Sequence, residues 1–125
     1  MTNILDLPQL AGTLDAVNNA DLRASIQFIQ NGSTSPLDLT GISFACQIRP
    51  SADRLIVSVD MTTENGLMIN GGTNGILSWF VPKSAMKNIK PGAYVADVLA
   101  VADGAVVNLF QTAPLVVTIA GGLTC

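Results

Sequence analysis

Between Pro36 and Pro50 a turn-forming segment runs into a stretch where Ile42, Phe44, Cys46 and Ile48 alternate with Ser43, Ala45, Gln47 and Arg49. A period of two puts every second side chain on the same face of an extended strand, so one face can be buried while the other stays wet. A helix cannot use this pattern, because its 3.6-residue period would spread the apolar positions around the whole cylinder. The same alternation returns at intervals of roughly ten residues, with turn chemistry between, which is the pattern of a two-sheet β-sandwich. A small barrel is the main rival.

Taken in order, Leu22, Ala24, Ile26 and Phe28 alternate with Arg23, Ser25 and Gln27, and the strand ends at Gln30. Asn31 to Pro36 is a turn by composition. After the strand over 42–49, Pro50-Ser51-Ala52-Asp53 breaks the chain, and Leu55, Val57 and Val59 alternate with Ser58 and Asp60 in a third strand. Short strands follow over 67–70 and 76–81, the latter turning Leu77, Trp79 and Val81 to one side, with Trp79 the best candidate for the sandwich centre. Proline first, lysines late and Pro91-Gly92 as a stop predict one short helical turn near 83–89. Tyr94, Ala96 and Val98 begin another strand, Asp103-Gly104 makes a hairpin turn, Val106 to Gln111 returns, and Leu115 to Ile119 closes the domain. The count is about seven to nine strands.

Residues 1–19 differ. Ile4, Leu5, Leu7, Leu10, Leu14 and Val17 follow neither template for long, and Asp6 and Asp15 stand there without a Lys or Arg. This segment reads as an arm whose Ile4, Leu5, Leu7, Leu10 and Leu14 form an assembly interface with a neighbouring subunit, or as an extra edge strand or frayed leader. Residues 20–125 form the sandwich domain.

The 125 residues suffice for one domain with a substantial core. Only 12% are charged, against about 25% in a typical soluble domain, and 49% are hydrophobic. A surface so short of charge suggests cover by other subunits, hence a homo-oligomer. The net charge of −3 and the lack of a Lys/Arg cluster argue against nucleic acid as a partner. No apolar run is long enough to span a bilayer, and the first residues lack a basic n-region, so neither a membrane partner nor a secretory signal is expected.

The chain has no histidine, which removes Ser-His-Asp, Cys-His and His-liganded metal chemistry. Asp53, Asp60, Glu64 and Asp103 lie in or beside turns, where acids serve local hydrogen bonds, and no spacing matches a calcium loop. Gly71-Gly72-Thr73-Asn74-Gly75 lacks the Gly-Lys-Ser/Thr of a phosphate cradle. No catalytic, metal or cofactor-binding residues are therefore assigned. Cys46 reads as a small core residue and Cys125 as a tail thiol. Arg49 and Asp97 fall within strands and are expected to form a cross-strand ion pair. Phe44, Trp79 and Tyr94 are read as core.

Pro36-Leu37-Asp38-Leu39-Thr40-Gly41, running into Gln47-Ile48-Arg49, resembles a motif of small phage and prophage structural proteins associated with tails, baseplates or tail fibres. In the same order come Thr63-Glu64-Asn65-Gly66-Leu67, Pro91-Gly92-Ala93-Tyr94-Val95-Ala96-Asp97, Asp103-Gly104-Ala105-Val106 and Val116-Val117-Thr118. The resemblance covers about residues 20–124; it departs at residues 1–19, at the apolar stretch 98–102 and at Cys125. It implies an immunoglobulin-like antiparallel β-sandwich, an assembly role among other virion proteins, location in the virion after synthesis in the host cytoplasm, and no catalytic residues. Tail, baseplate or fibre attachment is the first expectation; capsid decoration, a head-tail connector, or a receptor- or carbohydrate-binding module are the alternatives.

Overall fold

The structure, a computed structural model, describes residues 7–30 and 34–123. Among them are nine strands: β1 (Thr13–Val17), β2 (Leu22–Gln27), β3 (Ser43–Pro50), β4 (Val59–Thr62), β5 (Met68–Asn70), β6 (Ile76–Val81), β7 (Gly92–Ala102), β8 (Ala105–Asn108) and β9 (Leu115–Ala120). The single α-helical turn, α1 (Lys83–Met86), sits between β6 and β7.

The strands form two sheets. One has the order β1-β9-β7-β3-β4, with β8 also pairing β7; the other is β2-β6-β5. The protein is thus an all-β sandwich, and its order follows the G-F-C-C′ and B-E-D arrangement of immunoglobulin-like sandwiches, with β8 and β9 together serving as the G strand. Every pairing is antiparallel except β1 with β9, which run parallel from Thr13 opposite Val116 to Val17 opposite Ala120.

The alternation read from the sequence is what fills the space between the sheets. Phe44, Cys46 and Ile48 of β3, Val98 and Ala100 of β7, and Val117 and Ile119 of β9 are buried on one side, against Leu77, Trp79 and Val81 of β6. Phe28 stacks on Phe44 with ring centroids 6.5 Å apart. Tyr94, near the start of β7, donates its hydroxyl to Lys90 O at 2.5 Å, the tyrosine-corner contact that fixes how the chain enters this strand in such sandwiches. Ala96, two residues on, stands where antibody domains carry a cysteine, so no disulfide crosses this core, and Cys46 is a free, buried thiol.

The turn before β3 is tied down by side chains. Asn70 donates to both Leu39 O and Ile42 O at 2.8 Å, and its own side-chain oxygen accepts from Gly72 N. Leu39 is fully buried there. Asp38 accepts from both the hydroxyl and the amide of Thr40, which hold its carboxyl below the usual carboxylate range, the hydroxyl being the larger cause.

One expectation is corrected, and one of the alternatives for residues 1–19 is taken. The third strand does not run through Leu55 and Val57: Asp53 N donates to Pro50 O, Leu55 N to Asp53 Oδ1 and Ile56 N to Asp53 O, so these residues are spent on a turn. The chain rejoins β3 only at Ser58, whose N–H reaches Ile48 O, and the strand is Val59–Thr62. Part of the 1–19 segment is an edge strand, β1, because Leu14 and Ala16 turn toward the core while Asp15 and Val17 face out. From Tyr94 the β7 strand runs on through Val98 to Val101, opposite Cys46 to Ser43, and Ala102 leads into the Asp103-Gly104 hairpin.

Candidate functional site

The residues expected at an assembly interface divide. Ile4 and Leu5 lie outside the described residues. Leu7 is buried within the chain's own core, and Leu10 and Leu14 are half-buried against it. Leu10 N donates to Leu109 O at 2.7 Å, and Gln9 bonds Asn108 O and Gln111 N, so the chain from residue 9 onward is stitched to its own C-terminal half. Leu7 is therefore committed inside the protomer, while Leu10 and Leu14 pack against its core with part of their surface open.

The expected Arg49–Asp97 ion pair does not form. Register places Asp97 opposite Gln47 and Arg49 opposite Val95, one step along the ladder on the same face. Arg49 instead donates to Arg54 O at 2.7 Å and to Gln47 Oε1, and Asp97 accepts from Asn108 Nδ2 at 3.0 Å. The β8 return strand brings Asn108 close enough to take the carboxylate, and the turn after β3 offers Arg49 a carbonyl. Phe44, Trp79 and Tyr94 are core residues, as expected.

Two surfaces are left unblunted. The first is the tip of the β3–β4 loop, where Leu55, Ile56 and Val57 are 90%, 53% and 41% exposed. Three consecutive large apolar side chains in water are unusual for a free monomer. Sequence reading missed them by assigning Leu55 and Val57 to a strand face; the signal against that was the Ser51-Ala52-Asp53 turn continuing into Arg54.

The second is the outer edge of β2. Phe28 N donates to Gly75 O at 2.8 Å, and this sets the phase of the β2–β6 ladder. Leu22, Ala24 and Ile26, in register with Val81, Trp79 and Leu77, exchange bonds with β6, while Arg23, Ser25 and Gln27 aim their backbone N–H and C=O groups away from it. No strand among the described residues covers that edge. Beside it an apolar cleft of about 250 Å³ opens between the sheets, lined by Leu10, Leu14, Ala24, Ile26, Ala96 and Phe110 among others, with Cys46 and Trp79 also in its wall. Ala24 and Ile26 point inward yet stay half-exposed, whereas Leu77 on the central strand is fully buried. Arg23 lies over the Phe80 ring, 4.3 Å from its centroid, and 3.8 Å from Asp21.

Chemically, burial pushes the Cys46 thiol up to about 12, reinforced by the charges of Asp97 and Asp60 and only partly offset by a hydrogen bond from Trp79. A thiol so placed stays protonated and is a poor nucleophile. Among the described residues no three His, Cys, Asp or Glu side chains gather as a metal site, and no helix is long and apolar enough to cross a membrane. The chain matches no model of a known protein family, and no curated protein matches it.

Proposed function

We propose that this protein is a non-enzymatic structural component of a bacteriophage particle, made in the host cytoplasm and assembled in several copies in the tail, baseplate or fibre-attachment region. The observation that carries the reading is the Leu55-Ile56-Val57 tip: an exposed apolar cluster on a chain with only 12% charged residues. Such a tip gains free energy when a neighbouring virion protein covers it. The motifs that resemble phage structural proteins supply the setting.

A receptor- or carbohydrate-binding module is less favoured, because it needs aromatic rings on the surface. Phe28, Phe44, Trp79, Tyr94 and Phe110 are buried, and Phe80 is half-buried beneath Arg23. The test is mass spectrometry of density-banded particles from cells carrying the gene, beside a variant with Leu55→Ser, Ile56→Ser and Val57→Ser. The protein is expected at a fixed ratio to the known tail proteins, and the triple variant is expected to fold with stability within about 0.5 kcal/mol of the parent yet be lost from particles. Absence of the parent chain from purified particles would sink the proposal.

A further inference from the structure

Among the described residues, the strands with an unpaired side are β1, β4, β8, β2 and β5. Natural sheets blunt such edges by shortness, charge, proline or bulges. β5 has three residues, β8 has four, β4 has four with Asp60 among them, and β1 carries Asp15 on its exposed side. β2 is the longest of them, with six residues, no proline and a single charge, Arg23, near its start and drawn over Phe80. It also flanks the cleft, with two inward side chains, Ala24 and Ile26, left half-exposed along it, where β1 contributes Leu14.

We infer that β2 pairs antiparallel with β2 of a second copy about a two-fold axis at Ser25, joining the two β2-β6-β5 sheets into one. This rests on the reading of the chain as an assembly part and names the edge and the partner.

The second copy is favoured because the edge is complementary to itself. With Ser25 opposite Ser25 of the second copy, Arg23 meets Gln27 and Gln27 meets Arg23, so all three outward residues find backbone partners and no like charges are opposed. The intervening non-hydrogen-bonded positions set Ala24 against Ile26 and Ile26 against Ala24, a small side chain facing a large one twice over. Those are the two inward residues of β2 that the isolated protomer leaves half-exposed. An isologous contact of this kind closes on itself and ends at a dimer, leaving the Leu55–Val57 tips free for other proteins.

The experiment is sedimentation equilibrium of the full chain over a wide concentration range, with reductant present so that Cys125 cannot link copies. The parent is expected to be a reversible dimer. Ser25→Pro deletes an outward N–H that makes no bond within the chain, and Ser25→Lys sets two like charges face to face; each is expected to raise the dimer dissociation constant by at least about tenfold. Ser25→Lys leaves every intrachain backbone bond in place, so it decides the matter if the proline variant folds poorly. Gln27→Glu, facing Arg23 of the second copy, is expected to tighten the dimer and Gln27→Lys to loosen it. A parent that is monomeric at every concentration, or a dimer indifferent to both Ser25 variants, overturns the inference. If the dimer forms but the chain is missing from particles, the phage role fails and the β2 pairing stands; if monomeric protein enters particles, the reverse holds.

Discussion

Tyr94 donates its hydroxyl to Lys90 O, and phenylalanine at 94 would keep the ring in the core while abandoning that carbonyl. Tyr94→Phe is expected to cost about 0.5–1.5 kcal/mol in urea unfolding with an unchanged m-value. Cys46 gives a pH dependence with a definite sign. Its folded value near 12 lies above the ordinary 9.0 that the unfolded chain would show. Below pH 9 both states hold the proton and the thiol's contribution is fully present; as pH rises toward 12 the unfolded state releases its proton first, so stability falls. Protein carrying Cys125→Ser should therefore resist a thiol reagent at pH 8 until unfolded, and should lose more stability between pH 9 and pH 12 than the same protein with Cys46→Ala as well. At this scale the sequence was readable where a residue's role depends on period alone: Phe44, Cys46 and Trp79 fall on inward positions of regular strands. The partners of Arg49 and Asp97 were not, because Arg49 is taken by Arg54 in the turn after β3 and Asp97 by Asn108 at the end of the short return strand β8, neither of them directly opposite in the ladder.

Among the elements, β6 runs from Ile76 to Val81 as its alternation predicts, and β9 needs only Ala120 added. The single helical turn also stands where proline and lysines put it. Legibility failed where alternation was weak or misleading. In β1 only Leu14 and Ala16 turn inward, too few to display a period, and its pairing is parallel to a strand about a hundred residues later. Leu55 and Val57 offered an alternation that the backbone does not use. The start of β6 depends on Gly75, which has φ +70 and whose Cβ would stand 2.5 Å from Phe28 O and 2.9 Å from Leu37 O. Gly75→Ala is expected to destabilise by about 1–3 kcal/mol, read as a lower melting temperature, because both the φ value and the two carbonyls oppose it. The loss would fall where β2 leaves β6 and the Pro36–Gly41 turn begins.

For the whole molecule, β7 is the longest strand and pairs with β3, β8 and β9, so it carries the larger sheet. The parallel junction of β1 with β9 governs how the molecule bears a pull along these strands. Chain entering β1 and chain leaving β9 depart from opposite ends of that junction, with Val116 N bonded to Gly12 O at one end and Gly122 N to Asn18 Oδ1 at the other. Tension applied through residues 12 and 122 acts along the two strands and loads the bonds between them side by side instead of peeling them one after another. In single-molecule pulling, unfolding between these points should need a clearly higher force than pulling across the β3–β4 hairpin, whose ladder opens bond by bond. The same junction that joins β1 to the larger sheet makes the domain a tether that resists stretching.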